Sequence, residues 1–203
     1  MSKPAFTVVE SVAIPLDRRN VDTDQIIPAR FLRKPRAAGM GTYLFHDLRL
    51  DSDGQPRPGF VFNDPACRDA SILVARENFG SGSSREAAVY ALWDGGIRVV
   101  IAPSFGDIFY SNSLKNGLLP VVLPAEKVEH LLGTVQATPA ARVRVDLEAQ
   151  TVTIAGRASE HFGLCPFQKH LLYTGQDELG YTLALEARVR QFESARAEKS
   201  PWL

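Results

Sequence analysis

The stretch Asn78-Phe79-Gly80-Ser81-Gly82-Ser83-Ser84-Arg85-Glu86 concentrates the residue types that chemistry on an anion needs. Gly80 and Gly82 let the backbone take positive φ and approach a bound group closely, since neither carries a Cβ. Ser83 and Glu86 fit a capping box, in which the serine hydroxyl and the glutamate carboxylate each take an orphan amide hydrogen of a helix start. The free amides and dipole of such a start favour an anion, and Arg85 adds a planar, two-pronged donor for carboxylate or phosphate. Glycine, serine and a capping box can also do no more than begin a helix, so these residues alone leave both readings open. A second set, Val21-Asp22-Thr23-Asp24-Gln25-Ile26-Ile27-Pro28, puts two carboxylates ahead of an apolar pair. They could build an Asx turn, or one of them could be aimed at a site.

The flanking patterns give the elements that must hold these residues. Ser71 to Ala75 is an apolar strand leading into the glycine turn, and Ala87 to Trp93 is a buried helix leaving it, stopped by Gly95-Gly96. Ile97 to Ala102 is a continuous apolar run, as expected of a strand covered on both faces. A helix from Gly106 to Asn116 and a strand from Leu118 to Leu123 continue the alternation, which predicts a partly parallel sheet. Phe6 to Ile14 reads as a first strand ended by Pro15, and Pro124 opens a helix through about Leu132. Ala141 to Leu147 and Thr151 to Ala155 alternate around Glu148-Ala149-Gln150 and predict a hairpin. Pro166 to Leu172 reads as a short helix, Glu178 to Arg196 as one longer, increasingly charged helix, and Ser200 to Leu203 as a frayed end. From Arg30 to Pro58 runs a stretch rich in Arg, Gly and Pro, holding Phe31-Leu32-Arg33-Lys34 and Tyr43-Leu44-Phe45-His46. Segments of this length inside a compact domain are often lids or binding loops, although its arginines also suit a solvated surface.

Composition narrows the partners. A chain of 203 residues can bury a full core without disulfide staples. Lys plus Arg and Asp plus Glu both total 23, so the basic footprint of a nucleic-acid binder is missing. No run approaches the roughly 20 apolar residues of a membrane span, and Met1 to Glu10 lacks the pattern of a signal peptide, so a cytoplasmic protein without a membrane partner is expected. Cys67 and Cys165 lie far apart, too few for a self-contained iron-sulfur cluster and unsuited to a structural zinc site. His46, His130, His161 and His170 are scattered without metal-pair spacing, and Ser83 lacks the G-x-S-x-G elbow of a hydrolase.

Taken together, Val21 to Pro28, Ala75 to Glu86 and Ile101 to Phe109 closely resemble the small subunit of 3-isopropylmalate dehydratase, the counterpart of the swivelling fourth domain of aconitases. The likeness continues through Asn112, Asn116-Gly117-Leu118-Leu119-Pro120 and Pro166-Phe167-Gln168-Lys169-His170. It implies an α/β fold, a swivelling β/β/α domain of aconitase type with a mixed sheet and flanking helices. Residues 1–203 would form a single domain, with 177–203 a C-terminal helical extension of it. It also implies a heteromer whose large subunit carries a 4Fe-4S cluster, this chain holding no cofactor and no metal ligand. The reaction implied is a hydro-lyase isomerisation of 2-isopropylmalate and 3-isopropylmalate, by dehydration and rehydration, in leucine biosynthesis.

Carried over by position, the resemblance makes Ser83 the base and Asp24 the active-site aspartate. Ser84 and Arg85 become the groups that hold a carboxylate of the dicarboxylate substrate, and Arg33 falls in the specificity segment after Ile-Ile-Pro. A serine is a poor base unless its alkoxide is stabilised, which gives the helix start and Arg85 a chemical purpose. Two departures stand out: Ala87 where many members have histidine, and Ser81 where cysteine is frequent. They leave open a related acid of homoaconitate, citramalate or dimethylmalate type. From another class, a noncatalytic anion-binding module built on Gly80 to Arg85 is the rival, and it has no use for Asp24.

Overall fold

The computed structural model describes residues 3–139, 141–154 and 157–199. The expectations for Ala155 and for Ser200 to Leu203 fall outside them. Strand β1 (Val8–Leu16) is followed by α1 (Thr23–Ile26), a segment of short 3-10 turns, α2 (His46–Arg49) and strand β2 (Ile72–Ala75). Then come α3 (Glu86–Asp94), β3 (Val99–Ala102), α4 (Asp107–Lys115), β4 (Leu119–Val122) and α5 (Ala125–Ala137). The chain continues through β5 (Arg142–Asp146), β6 (Thr151–Ile154) and β7 (Glu160–His161) to α6 (Pro166–Thr174), α7 (Glu178–Ala184) and α8 (Glu186–Lys199).

The seven strands form one mixed sheet in the order β4-β3-β2-β1-β5-β6-β7. The β1 to β4 half is parallel, and β1, β5, β6 and β7 pair antiparallel. Alternate residues serve two cores, as the period of two requires. Leu73, Ala75, Val100 and Ala102 pack with Ala88, Val89, Ala91 and Leu92 of α3 on one face. Ile72, Val74, Val99 and Ile101 pack with Val128, Leu131, Leu132 and Val135 of α5 on the other. Burying one such Val or Leu is worth about 1.5–3 kcal/mol, so these faces, not surface charges, fix the register.

Several expected boundaries move, each for a local reason. Pro15 does not end the first strand; it lies inside β1, paired with Val74. By then β1 has parted from β5, whose pairing stops at Val12, so Pro15 sits where only one flank carries a ladder and its missing N–H is tolerated. The helix after Pro124 runs on to Ala137. The predicted single helix from Glu178 to Arg196 is two, α7 and α8, parted at Leu185. Within α7, Gly180 weakens the run and Thr182 turns its hydroxyl back onto the Glu178 carbonyl at 2.8 Å, a bond that competes with helical geometry.

The predicted loop from Arg30 to Pro58 is pinned rather than free. Arg36 lies 3.9 Å from the Tyr90 ring centre on α3, and Met40 donates its backbone N–H to Asp94 at 3.2 Å. Gly41 abuts α3 so closely that a Cβ there would come within 2.5 Å of the Asp94 carbonyl. Phe31 stacks on Tyr43 at 4.2 Å, and Arg30 pairs with Asp47, which holds that carboxyl at a pKa of about 2.

Candidate active site

The site forms where the parallel strands end, as ligand sites do in open α/β sheets. The loop after β2 is stitched to its neighbours on both sides. Gly80 donates its N–H to the Val21 carbonyl at 2.7 Å, and Thr23 N–H donates to Ser81 at 2.9 Å. On the other flank Phe79 N–H donates to Ser104 at 3.1 Å, and Gly106 N–H to Phe79 at 2.9 Å. Phe79 is fully buried, edge-on to Phe109 at 5.4 Å. Gly80 has φ +72°, and a Cβ there would stand 2.2 Å from the Phe109 ring; one at Gly106 would stand 2.6 Å from the Gly80 carbonyl oxygen. No other residue fits either place, so these glycines let three loops meet.

The expected capping box does not form. Helix α3 begins at Glu86, with Arg85 as an extended N-cap (φ −135°, ψ 100°) that makes no side-chain cap bond. The helix starts too late for it, with Arg85 and not Ser83 at the N-cap position. The Ser83 carbonyl accepts the Thr23 hydroxyl at 3.0 Å, and the Glu86 carboxylate accepts a hydrogen bond from Asn116 Nδ2 at 2.7 Å. Ser83 and Ser84 are left exposed just ahead of the helix, next to its unpaired amides.

The two carboxylates of the Val21 to Pro28 motif divide their work. Asp22 caps α1, accepting the Gln25 N–H at 2.7 Å, which is the structural reading. Asp24, one residue into α1, reaches across and accepts a hydrogen bond from Arg85 Nη1. The guanidinium of Arg85 is mostly covered, with 18% of its side chain exposed, while Asp24 keeps 52%. Ser83 and Arg85 line a cleft of about 190 Å³ together with Thr23, Gly82, Asp107 and Ile108. Complete ligand pockets hold roughly 300–1,000 Å³. This open cleft falls short of that range.

Ser84 borders that cleft without lining it. Arg33 is exposed and also outside the lining. It differs from the other four arginines of its segment, because Arg30, Arg36, Arg49 and Arg57 are each bound to Asp47, Tyr90, the Leu44 carbonyl and the Leu50 carbonyl respectively. Among the described residues Arg33 has no such partner. Thr23, Asp107 and Ile108 carried no role in the sequence reading. Thr23 is 2% exposed, and only the fold reveals what its hydroxyl touches. Asp107 and Ile108 are brought in by the first turn of α4, whose motif was visible but whose side chains had no evident target.

No histidine lines the cleft. His46 touches Asp47, His130 contacts Arg157 at 2.6 Å, and His170 packs against Tyr181. The thiols sit in different layers, Cys67 against the α3 core and Cys165 exposed ahead of α6. Burial pushes the Cys67 thiol up, which disfavours its thiolate. Among the described residues no three of His, Cys, Asp and Glu come together as metal ligands would. The donor set of this chain does not fit a cluster.

A mixed sheet with helices on both faces, carrying a Gly-Ser-Gly-Ser-Ser-Arg turn beside an aspartate at the ends of its parallel strands, defines a swivel domain of the aconitase class. A family model described as the aconitase C-terminal domain matches residues 3–126, and one described as LeuD_N matches residues 129–163. A 3-isopropylmalate dehydratase small subunit from Leptospira interrogans is 48% identical over 200 residues, covering 98% of this chain and 97% of its own length. The protein of the same name from Paramagnetospirillum magneticum is 49% identical over 198 residues, covering 98% of each. The crystal structure of 3-isopropylmalate dehydratase from Methanocaldococcus jannaschii superposes with a TM-score of 0.64 at 25% identity, over 92% of this chain and 99% of that one. The chain belongs to the family of 3-isopropylmalate dehydratase small subunits.

Proposed function

We propose that this chain is the small subunit of a hydro-lyase that interconverts 2-isopropylmalate and 3-isopropylmalate in leucine biosynthesis, active only with a large subunit. The observation that carries this reading is the cleft in which exposed Ser83 stands with an arginine already aimed by Asp24. On this reading Ser83 takes the proton from carbon, its alkoxide steadied by the amides ahead of α3. Arg85 holds a carboxylate with the donors that Asp24 leaves free, and Ser84 lends that carboxylate a hydroxyl. Arg33, the unpartnered arginine of the pinned segment, faces the group that distinguishes one substituted malate from another.

The thiols here do not fit a cluster, so a 4Fe-4S cluster would belong to the large subunit and supply the Lewis acid for the departing hydroxyl. A cleft smaller than a complete pocket suits such a division. Residues 1–203 then act as one domain, with 177–203 as its helical extension. Among the described residues no helix is long and apolar enough to cross a membrane, which suits the cytoplasm.

The test is reconstitution with the large subunit of the same organism and assay against a panel of substituted malates. We expect no turnover by this chain alone, and interconversion of the two isopropylmalates by the complex. Turnover without the large subunit, or preference for a homoaconitate, citramalate or dimethylmalate type acid, would overturn the assignment.

A further inference from the structure

We propose that Thr23 is a positioning residue of the reaction, whose buried hydroxyl aims the Ser83 backbone; this rests on the reading of Ser83 as the base. Three observations meet at this residue. Its side chain is 2% exposed, at the inner wall of the cleft. Its hydroxyl donates to the Ser83 carbonyl at 3.0 Å across 60 residues of sequence. Its own N–H donates to the Ser81 carbonyl at 2.9 Å, so one residue holds the glycine-serine turn at two successive alternate carbonyls.

The consequence follows from peptide geometry. In a planar trans peptide the C=O and the next N–H point in opposite directions. A hydroxyl that draws the Ser83 carbonyl toward α1 therefore turns the Ser84 N–H away from it and fixes the direction in which the Ser83 Cα–Cβ bond leaves the backbone. Gly82, with φ +89°, stands where even an added Cβ would meet nothing closer than 3.5 Å, so it gives the turn no rigidity of its own. The helix does not supply it either, because α3 starts only at Glu86 and Arg85 is extended. Among the described residues the Thr23 hydroxyl is what holds the backbone from Gly82 to Ser84 by a hydrogen bond. A methyl in its place would also leave a carbonyl without a partner.

The experiment compares Thr23→Val, Thr23→Ser, Ser83→Ala and the double variant Thr23→Val/Ser83→Ala, each in the complex with the large subunit and at matched assembly. We expect Thr23→Val to lower kcat about 100-fold, the scale of a misplacement near 1 Å, with KM within a few-fold. Thr23→Ser, which keeps the hydroxyl and loses only a methyl, should stay within about threefold of the parent. If Thr23 acts through Ser83, Thr23→Val should cost nothing further once Ser83 is alanine, whereas a general loosening of the fold would lower both backgrounds alike. An inactive Ser83→Ala beside a fully active Thr23→Val would remove Thr23 alone. Near-normal turnover by Ser83→Ala would remove the base assignment and this proposal with it. Should Thr23→Val fail to fold, loss of turnover in a folded Thr23→Ser would still overturn the proposal.

Discussion

Arg76 and Arg85 stand nine residues apart on the same loop, are covered to nearly the same degree, with 20% and 18% of their side chains exposed, and both pair with carboxylates. They do opposite jobs. Arg76, at the base of the loop, spends all three guanidinium nitrogens on Asp17 and Glu129, tying the ends of β1 and β2 to α5. Arg85, at the tip, gives Asp24 a single nitrogen and keeps the rest of its fork beside Ser83 in the cleft. An arginine with every nitrogen engaged braces the fold; one held by a single bond keeps its other nitrogens for a further group. Residue type and burial do not separate the two. Donor satisfaction does.

That contrast can be broken at its catalytic end first. Ser83→Ala should lower kcat by about 10²–10⁴-fold, the usual contribution of a positioned base, with KM little changed. Arg85→Lys keeps the charge and loses the fork, so it should raise KM about tenfold, the loss of roughly 1.4 kcal/mol of ground-state carboxylate binding. Steady-state kinetics of the assembled complex, with iron content and assembly matched, separates the two signatures. Near-normal turnover by Ser83→Ala would leave the base to be sought at Asp24.

A smaller effect is expected from Arg33, an exposed arginine with donors to spare. Arg33→Ala should shift the ratio of kcat/KM between malates with apolar and with charged side groups by roughly tenfold, since one contact discriminates by about 1–3 kcal/mol. Competition assays on substrate pairs report that ratio directly. An unchanged ratio would reduce Arg33 to a solvated surface residue and leave specificity to the large subunit.

Much of this arrangement was readable from residues alone, and what was not readable has a common cause. The strands from Ile72 to Val122 and the hairpin of β5 and β6 were visible because unbroken apolar runs and alternation are local signals. The capping box failed because α3 starts only at Glu86, with Arg85 instead of Ser83 at its N-cap, and because the Glu86 carboxylate is claimed from a distance by Asn116. Pro15 was taken for a stop because nothing local says that β1 exchanges β5 for β2 in mid-strand. Asp22 and Asp24 look interchangeable in sequence, and only the start of α1 between them decides which caps and which points at Arg85. The motif of the candidate site was legible through family resemblance, but Thr23, set between Asp22 and Asp24, reads only as part of a turn, and what its hydroxyl meets lies 60 residues away.

The smallest expected effect lies at the bracing end of the contrast, on stability instead of turnover. The Arg76 guanidinium beside Asp17 holds that carboxyl below its ordinary value of 3.8, and Glu129 is lowered by the same hydrogen-bonding partner. A carboxylate whose folded pKa is depressed stabilises the fold fully above its unfolded pKa, and the contribution fades as pH falls through the folded value. Both carboxylates are largely exposed, so screening keeps the Arg76–Asp17 pair to about 0–1 kcal/mol and weakens the Glu129 contact as well. Arg76→Ala should accordingly lower Tm at pH 7 by only about 2–4 °C, the shift that 1 kcal/mol produces in a domain of this size. The gap between variant and parent should close as pH drops from about 5 toward 2, where both carboxylates take up protons with or without Arg76. Turnover of the assembled complex at pH 7 should stay unchanged. Thermal melts across that pH series, beside one kinetic measurement, decide the matter: a Tm gap that persists at low pH would mean that Arg76 braces the loop by packing its stem, and a fall in kcat would mean that base and tip of the loop are not separable.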